Sequence, residues 1–440
     1  MAIGFLNHIP ISIALKFPLF MARRFFRQIG DERQSASNPT ITIATAGVAV
    51  GLAVMIVTVC VIMGFKREVM SKVRGFASDI EVLDLRSLSS PESFPVTADD
   101  RYIADLKKIP DVEKVNRIAQ KMGMLKTSDS FQGITLKGLP NDYDTTFIAS
   151  AIIEGRMPKL KSHNAQTMQD PGMTNGSNEI LISRRQADDL GLKVGDRIFT
   201  YFFEETIRMR RFRICGIYNT NMGIFDKNVV VSDFQTVAQL NNWKENQCSS
   251  IEIRLTSLDR LPDVMPLMNA YHESHPDPMA VPRKPLSVKD HYMQVFSWLD
   301  LLDTNMMVII LLMVAVAGFT MVSGLLILIL ERIQTIGILK ALGATNTTIR
   351  RIFLYFASFI TLRGLVIGDA IALLLLFAQK HWGLVHLDPS SYYVDTVPVE
   401  INVLAIVLLN LATLGITTLA LVAPSFMISR VQPAKSIRYE

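Results

Sequence analysis

The side chains that most often carry out catalysis or hold metals are thinly spread in this sequence. Its seven histidines are scattered, and only His272 and His275 are close, three residues apart on a predicted helix. Such a pair is able to share a metal ion, although a solvated surface pair is the more common arrangement. There is no GxxxxGK(S/T) phosphate loop, no HExxH and no paired CxxC. The sequence therefore predicts no catalytic centre, no metal site, no cofactor and no ATP hydrolysis by a phosphate loop of its own.

The most informative charged stretch is ERIQTIGILKALGATNTTIRRIF, residues 331–353, between two of the most apolar runs in the chain. An apolar residue recurs at every third position and forms one face of a predicted short helix: Ile333, Ile336, Leu339 and Leu342. Gly343 is a typical stop for that helix, and Thr345 or Asn346 is able to cap the next one. The pattern predicts a short helix that lies across the membrane surface.

The elements around this stretch follow from composition. The chain has 440 residues, of which 49% are hydrophobic, and its mean hydropathy is +0.28. The excess is concentrated in four runs at 41–64, 306–330, 352–379 and 402–428. A helix of about 25 residues reaches roughly 37 Å, enough to cross a hydrocarbon core of about 30 Å. We therefore predict four transmembrane helices.

The distribution of lysine and arginine predicts the orientation. Basic residues are frequent before the first run, between the second and third runs, and after the fourth, whereas the loop at 380–401 has only Lys380. By the positive-inside rule, both termini and residues 331–351 are cytoplasmic, and 65–305 is outside. The net charge of +5 is thus mainly an orientation signal, and no basic stripe with interleaved aromatics indicates a nucleic-acid partner.

The first 20 residues lack both a basic n-region and an Ala-x-Ala type cleavage site, so they do not fit a signal peptide. Lys16, Arg23 and Arg27 share one face of a predicted interfacial helix. Several apolar residues are available to the lipid boundary, namely Leu15, Leu19, Phe20 and Phe26. The alternative is a basic tail that only sets the topology.

The region at 65–305 combines two kinds of pattern and predicts an α+β domain. Strands are predicted at 80–85, 114–119, 133–138, 197–203, 211–218, 229–232 and 249–255. Helices are predicted at 99–108, 183–190, 233–242 and 258–275. The polar residues 161–178 predict a flexible loop, either a boundary between two lobes or an ordinary surface insertion. Cys215 and Cys248 either form a disulfide or remain two buried thiols, and Cys60 lies in the first span.

Three parts of the chain carry a family resemblance. ERIQTIGILKALGAT resembles the connection between the second and third spans of FtsX-like ABC transporter permeases. The ending APSFMISRVQPAKSIRYE, 423–440, is similar to the family's P-S-x-x-A-x-x-x-x-P-x-x-x-L-R-Y-E, with Ser429 and Ile437 replacing the usual Ala and Leu. Residues 47–82 resemble the first span and stalk of lipoprotein-releasing permeases of the LolC and LolE type. Similarity to the periplasmic core of these permeases, the MacB-like core, is found at 152–158, 179–198 and 210–218.

The resemblance implies a role for the 331–351 connection. In this family it is a coupling helix that docks on a separate cytoplasmic ATPase. Carried over to this sequence, the coupling residues are Glu331, Arg332, Ile336, Gly337, Leu339, Lys340, Ala341, Leu342, Gly343 and Ala344. Hydrophobic anchors such as Ile336, Leu339 and Leu342 would bind while charges orient the partner. From the residues alone, a tight connecting helix that only sets topology is the alternative.

The resemblance also implies partners and a function. It implies two ATP-binding subunits, a second permease chain, membrane lipid, and a lipoprotein that is extracted from the outer leaflet of the inner membrane and passed to a periplasmic carrier. If acyl chains enter between the first two spans, five residues fit by depth: Val59, Met63, Met307, Ile310 and Leu311. Ordinary lipid-facing positions would look the same. Gly47 and Gly51 form a GxxxG that suits a dimer or packing within one chain.

Two charges fall inside the third predicted span. Arg363 and Asp369 each cost on the order of 2.5 to 3.5 kcal/mol at the bilayer centre. They lie six residues apart, about 240° round a helix, so they are not expected to pair. Either they make a gating or partner contact, or they are neutralised by snorkelling or by a neighbouring helix.

One departure concerns carrier recruitment. LolC-type permeases have a long, proline-containing hairpin just before the strand that begins with RRF. In this chain the short EETIRMRR, 204–211, occupies that place and contains no proline. The chain is therefore either a LolE-like half of a heterodimer or a homodimer that recruits differently. The alternative functions are a MacB-like efflux permease, an FtsX-type signalling permease that controls cell-wall hydrolases, and a membrane-anchored enzyme.

These predictions give a membrane protein with four transmembrane α-helices and a large α+β periplasmic domain between the first and second. The predicted order is an interfacial segment 1–40, a span 41–64, the domain 65–305, a span 306–330, the coupling helix 331–351, a span 352–379, a periplasmic loop 380–401, a span 402–428 and a cytoplasmic tail 429–440.

Overall fold

The computed structural model describes residues 17–25, 37–90, 93–128, 130–161, 177–203, 207–244, 246–275 and 283–425. The chain forms two compact units. The helical unit draws on Met1–Lys66, Leu299–His386 and Thr396–Glu440, and the α+β domain consists of Arg67–Trp298 together with Leu387–Asp395. The predicted ending at 426–440, residues 162–176 of the predicted flexible loop, Lys16 and Arg27 lie outside the described residues.

Four helices in the described part of the chain are long and apolar enough to cross a membrane, as predicted. They are α1 (Ser37–Phe76), α9 (Met293–Glu331), α11 (Asn346–Trp382) and α13 (Val403–Ala420). The first three extend beyond the predicted apolar runs because the helical backbone continues through polar residues. The fourth stops short of the predicted end at 428. Pro424 explains this, because proline has no N–H to donate to the carbonyl of Ala420.

The apolar helices pack around α1. Buried residues make up 61% of the most apolar part of α1 but only 11% of that of α13, so α1 is the central helix. Its buried face includes Val48, Leu52 and Ile56, and it meets Phe356 and Ile360 of α11 in one apolar core. Burial of such side chains contributes about 1.5 to 3 kcal/mol each in water, whereas in lipid the close packing itself supplies the attraction.

A mixed sheet organises the α+β domain. In the described residues its ten strands run in the order β12-β1-β11-β3-β4-β9-β6-β8-β5, with β7 paired to β3 and β8. Most pairs are antiparallel, and the pairs β4/β9 and β6/β8 are parallel. The ten strands are β1 (Ile80–Asp84), β3 (Val112–Lys126), β4 (Phe131–Leu139), β5 (Ile152–Gly155), β6 (Glu179–Ser183), β7 (Arg197–Phe203), β8 (Ile207–Tyr218), β9 (Val229–Asp233), β11 (Ser250–Leu255) and β12 (Arg283–Ser287). Two further strands, β2 (Val96–Thr97) and β10 (Gln247–Cys248), form a small separate pair.

Short helices cover this sheet and complete the domain. They are α2 (Asp100–Lys107), α3 (Thr146–Ser150), α4 (Arg184–Leu190), α5 (Gly223–Asp226), α6 (Phe234–Leu240), α7 (Leu261–Ser274) and α8 (Val288–His291). The remaining helices are α10 (Ile333–Ala341), α12 (Pro389–Tyr392) and α14 (Val422–Ser425). Ser183 caps α4 in a reciprocal capping box with Gln186, which explains the start of that predicted helix.

The predicted strands and longer helices of the domain are confirmed, and of the two alternatives for residues 161–178 the boundary between two lobes does not hold. β5 precedes the 161–178 loop and β8 follows it, yet the two strands pair directly. A single sheet therefore runs through both halves. β12 escaped prediction because Pro285 interrupts its strand pattern, although proline is tolerated on an edge strand.

The cysteines and the close histidine pair serve packing. All three cysteines are free and buried, so the alternative of a Cys215–Cys248 disulfide does not hold in this structure. Burial raises the pKa of each of these two thiols to about 12. His272 Nε2 lies 2.6 Å from the Tyr102 hydroxyl and its Nδ1 lies 2.6 Å from the Met268 carbonyl.

Candidate functional site

The predicted coupling segment contains one short helix, α10, between α9 and α11. Arg332, with φ −103°, separates α9 from α10. Gly343 has φ +92°, which favours glycine, and it ends the segment as predicted. Thr345 then caps α11 by accepting a hydrogen bond from the backbone N–H of Thr348. Each change of chain direction thus has a local cause in the sequence.

The outward face of α10 differs from the predicted one. Ile336 is 1% exposed and belongs to the core of its own helical unit, so the expectation that it is presented to a partner is wrong. Ile338 and Leu342 are 54% and 79% exposed and form the outward apolar surface instead. The other predicted residues divide by exposure: Glu331, Ala341 and Gly343 are exposed, Arg332, Leu339, Lys340 and Ala344 are half-buried, and Gly337 is buried.

Residues 17–25 are helical and contact this segment. The guanidinium of Arg332 lies over the ring of Phe25, 5.9 Å from its centroid, within the range of a cation–π contact. Ala22 is fully buried, whereas Leu19, Phe20 and Arg23 are exposed. The helix therefore has one face against the helical unit and another that carries both apolar and basic side chains. Of the residues named in the interfacial prediction, Leu15, Lys16, Phe26 and Arg27 lie outside the described residues, so that role stays a prediction.

The five residues predicted to line an acyl-chain cavity do not form one surface. Val59 is 7% exposed and lies inside the unit, so its assignment is wrong for this structure. Met307 and Leu311 are 73% and 71% exposed and share one face of α9, four residues apart. Met63 and Ile310 are half-buried. Two of the five residues thus form an exposed apolar stripe on α9, whereas Val59 of α1 is buried.

The GxxxG of α1 packs within the chain. A Cβ placed on Gly47 would lie 2.6 Å from Cγ2 of Thr320, and one on Gly51 would lie 3.7 Å from Cβ of Ala317. Both neighbours belong to α9. The alternative in which these glycines pack helices of one chain is therefore the observed one, and they carry no argument for a dimer.

The two charges of the third span have different surroundings. Asp369 accepts a hydrogen bond from Asn410 Nδ2 of α13 at 2.9 Å, so a neighbouring helix stabilises this carboxylate. Arg363 is exposed on the opposite flank of α11. As predicted, the two do not pair.

The end of α1 is fixed to the sheet by charged side chains that the sequence reasoning missed. Arg74 donates to the buried carboxylate of Asp79 at 2.6 and 2.8 Å, and this hydrogen bonding raises the pKa of Arg74. Lys137 of β4 donates to the carbonyl of Phe76, the last residue of α1, at 2.8 Å. It also pairs with Glu252 of β11 at 2.7 Å. A cation at a helix C-terminus is favourable, so Lys137 helps to attach the last turn of α1 to the sheet within the domain.

A second set of contacts holds the connection between α11 and α13. Its residues Leu387–Asp395, here named the strap, belong to the α+β domain. Asn221 Nδ2 donates to Asp395 at 2.8 Å, and the ring of Trp298 meets that of Tyr393 edge-on at 5.8 Å. Lys72 of α1 donates to the carbonyl of Tyr393. The strap is thus attached to both long helices that enter the domain.

One face of the sheet is exposed and apolar. Cross-strand pairs Tyr201–Met209, Phe203–Ile207 and Lys126–Phe199 place their side chains on the same side of β3, β7 and β8. Six large apolar side chains here are at least 42% exposed: Met122, Phe131, Phe199, Phe203, Ile207 and Met209. The strands β7 and β8 contain no acidic residue, and Arg197, Arg211 and Arg213 are exposed beside the apolar residues. We name this the apolar sheet face.

Metal chemistry finds no support among the described residues, which contain no group of three or more His, Cys, Asp or Glu placed to hold an ion. Four helices long and apolar enough to cross a membrane, a short connecting helix with an outward apolar surface and a large domain inserted after the first long helix define the class as a membrane protein.

The chain belongs to the family of permeases that have a MacB-like periplasmic core domain, matched over residues 41–271, and an FtsX-like permease C-terminal region, matched over residues 307–433. It is 23% identical over 414 residues to the "Lipoprotein-releasing system transmembrane protein LolC" of Xylella fastidiosa (strain 9a5c), covering 90% of this chain and 92% of that protein. It is 20% identical over 453 residues to the LolE protein of Haemophilus influenzae, covering 95% of this chain and 98% of that protein.

Two solved structures resemble part of the chain. The extracellular domain of the ABC-type transporter YknZ from Gram-positive bacteria has 16% identity and a TM-score of 0.30, covering 47% of this chain and 99% of that domain. The periplasmic region of MacB from Actinobacillus actinomycetemcomitans has 12% identity and a TM-score of 0.31, covering 51% of this chain and 95% of that region.

Proposed function

We propose that this chain is the permease subunit of an ABC transporter that extracts lipoproteins from the outer leaflet of the inner membrane. A separate ATPase supplies the energy, and a periplasmic carrier receives the lipoprotein. The observation that carries the proposal is the outward surface of α10, where Ile338 and Leu342 are exposed on a short helix held at both ends. Relatives named as lipoprotein-releasing proteins, which match over nine tenths of the chain, support the same function.

The ATPase is proposed to dock on α10 from the cytoplasm. Exposed aliphatic side chains on a helix offer a hydrophobic anchor, and the flanking Arg332 and Lys340 orient an acidic rim. Partial burial lowers the pKa of Lys340. In this arrangement the termini are cytoplasmic and the α+β domain is periplasmic, as the distribution of basic residues predicts. Two ATPase subunits and a second permease chain complete the transporter.

Movement is proposed to pass through α1 and the strap. The Lys137 contact to the end of α1 and the Arg74–Asp79 pair give a stiff joint between that helix and the sheet. The Lys72 contact gives a second attachment through the strap. Within the α+β domain, a movement of the end of α1 would therefore reach the sheet and the strap through these contacts.

The lipoprotein and its carrier are proposed to use different surfaces. Met307 and Leu311 form an exposed stripe on α9 that suits an acyl chain, because methionine adapts to irregular apolar shapes. The apolar sheet face suits a soluble carrier with an acidic rim around apolar anchors, because it combines large apolar side chains with exposed arginines. Recruitment would then depend on this sheet face and not on a long hairpin.

Purification of the complex from its native membrane, through a tag on this chain, tests the proposal. We expect an ATP-binding subunit, a second permease chain and acylated lipoproteins to be identified together by mass spectrometry. A peptidoglycan hydrolase with the ATPase and without lipoprotein would replace the proposal by the signalling function. A small-molecule efflux partner would favour the MacB-like alternative.

A further inference from the structure

We infer that the flank of α11 around Arg363 is the binding surface for a membrane helix of another polypeptide, and that this helix carries an aspartate or glutamate at the same depth. The inference goes beyond the proposed function, because it concerns an interface that neither extraction nor ATPase docking requires.

The position of Arg363 along α11 is the first step. Arg351 and Lys380 are exposed and lie about 44 Å apart at 1.5 Å per residue, close to the full thickness of a bilayer with its headgroups. Arg363 is about 18 Å from Arg351 on this scale. Arg363 is therefore about 4 Å along α11 from the midpoint between Arg351 and Lys380, within the hydrocarbon core. At this depth its side chain is too short to reach a headgroup phosphate by extension alone.

The rotation of α11 is the second step. Gly364 and Gly368 face α1 closely, since a Cβ on Gly364 would lie 3.0 Å from Val48 and one on Gly368 would lie 2.7 Å from the Ala49 carbonyl. Because both residues are glycines, α11 approaches α1 closely, and this packing fixes the rotation of α11. Arg363 lies about 100° round the helix from Gly364 and cannot turn into the core without breaking this packing.

The lack of a partner within the chain is the third step. Among the described residues, Arg363 makes no hydrogen bond, ion pair or ring contact, and its side chain is exposed. Its neighbours on the same flank, Leu362 and Val366, are 51% and 63% exposed. By contrast, Asp369 on the same helix is already bonded to Asn410. The flank thus has the composition of an interface core, with one cation among apolar side chains.

The chemistry of the occupant follows from that cation. Lipid tails offer no acceptor for five N–H donors, and a guanidinium in hydrocarbon is stabilised best by a carboxylate in a bidentate pair. In lipid at this depth, only an α-helix or a closed β-barrel satisfies the hydrogen bonds of all its backbone groups. A membrane helix with an acidic side chain therefore meets both requirements.

Photo-crosslinking tests the inference in the full complex in native membranes. A benzoylphenylalanine replaces Val366, one turn from Arg363, and adducts are identified by mass spectrometry after illumination. The same probe at Leu411 of α13, which is 61% exposed, is the matched control for general lipid and protein contact. This measurement needs no ATP hydrolysis or lipoprotein release, so it can fail while the proposed function stands.

We expect an adduct with a peptide that contains an aspartate or glutamate inside a membrane helix. Its yield, relative to the Leu411 control, should fall at least about tenfold with Arg363→Gln and fall less with Arg363→Lys, which keeps the charge but not the two-pronged geometry of the guanidinium. An adduct with a second copy of this chain through Asp369 would count against the inference, because Asp369 lies about 9 Å along α11 from the depth of Arg363 and is already bonded to Asn410. Adducts with lipid alone, or a protein adduct whose yield does not change with Arg363→Gln, would overturn the inference.

Discussion

Lys72 Nζ donates a hydrogen bond to the carbonyl oxygen of Tyr393 at 2.8 Å, joining residues 321 positions apart in the sequence. The same ammonium donates to the carbonyl of Thr220 at 3.2 Å. Tyr393 has φ +63°, a left-handed conformation that an aromatic residue rarely adopts without support from its surroundings. Burial lowers the pKa of Lys72, and the nearby carboxylates of Glu68, Asp395 and Asp226 partly offset that shift. The contact therefore holds the strap in a strained conformation.

Replacement of Lys72 by methionine is expected to loosen the strap. The change leaves two carbonyl acceptors without their donor, which costs about 1 to 3 kcal/mol of local stability. Hydrogen exchange of the backbone amides at 388–395 should become faster, while exchange in β3 should not change. Lys108→Met is the control, because Lys108 is exposed and pairs only with the adjacent turn through Asp105. Equal exchange at 388–395 in all three proteins would contradict the role of Lys72.

Close helix packing predicts the effect of an added methyl group. In Gly368→Ala the new Cβ would lie 2.7 Å from a backbone carbonyl of α1, which is unable to move as a side chain does. We expect the variant to lose about 1 to 3 kcal/mol. Gly415→Ala in α13 meets nothing within 4 Å and should be neutral or slightly stabilising. The apparent melting temperatures of the two variants in detergent check this, and similar values would refute the packing of α1 against α11.

The pH dependence of the α+β domain should involve His272. Burial lowers its pKa below the ordinary value of 6.5, and neutral His272 donates from Nδ1 to Met268 while Nε2 accepts from Tyr102. As pH falls below 6.5, the unfolded state takes up a proton that the folded state binds less readily, so stability decreases. The slope from this one residue is at most about 1.4 kcal/mol per pH unit.

Urea unfolding of the full chain at pH 7.5 and pH 5.0, followed by tryptophan fluorescence, measures that dependence. His272→Gln should flatten the loss of stability at low pH, whereas His275→Gln, at an exposed position, should leave it as in the parent. If both variants keep the parent's slope, another group is responsible.

The ATPase contact is predicted to depend on the outward face of α10. Leu342→Asp places a charge on a residue that is 79% exposed, so folding should be retained while a hydrophobic anchor is lost. We expect the amount of ATPase recovered with the permease to fall at least about tenfold, the equivalent of 1.4 kcal/mol. Gln334→Asp is the control, because it places the same charge on another exposed residue of α10. Retention of the ATPase by the Leu342 variant would remove α10 from the interface.

Carrier binding is predicted to depend on the apolar sheet face. Phe203→Ser removes an aromatic ring that is 51% exposed, and Arg211→Glu reverses a charge opposite Phe199 of the same face. Both variants should weaken binding of a purified periplasmic lipoprotein carrier, and only the second should change the salt dependence of association. Leu267→Ser, 47% exposed on α7, serves as the control. Unchanged affinity in both variants would show that the carrier, if recruited, uses another surface.

Local patterns in the sequence were sufficient for most of the long elements of this fold, although β5, β6 and β12 were missed. The strand at Arg197–Phe203 and the turn at Gly343 follow from alternation and from a backbone conformation that suits glycine. The repeat of three in the coupling segment did not mark a single face, since Ile336 is buried and Leu342 is 79% exposed. Each step of three residues turns about 300°, so the four apolar positions drift half-way round the helix. Periodicity also does not show whether a face meets its own chain or a partner.

Contacts between distant parts of the chain could not be predicted in the same way. Lys137 and Glu252 look like ordinary strand charges until β4 and β11 are placed near the end of α1. From the sequence, the strap is predicted only as part of a short loop. The hydrogen bond from Lys72 that attaches it to α1 is seen only in the tertiary structure. Arg363 was noticed because a charge in an apolar run is costly wherever it points, but its exposure required the packing of Gly364 and Gly368.

The central claim is tested most directly by reconstituting the purified complex with a radiolabelled lipoprotein in liposomes and measuring the fraction released to soluble carrier when ATP is added. The account predicts ATP-dependent release that the Leu342→Asp variant abolishes and that the Gln334→Asp variant retains. ATP hydrolysis by the parent complex with no lipoprotein leaving the membrane would contradict it.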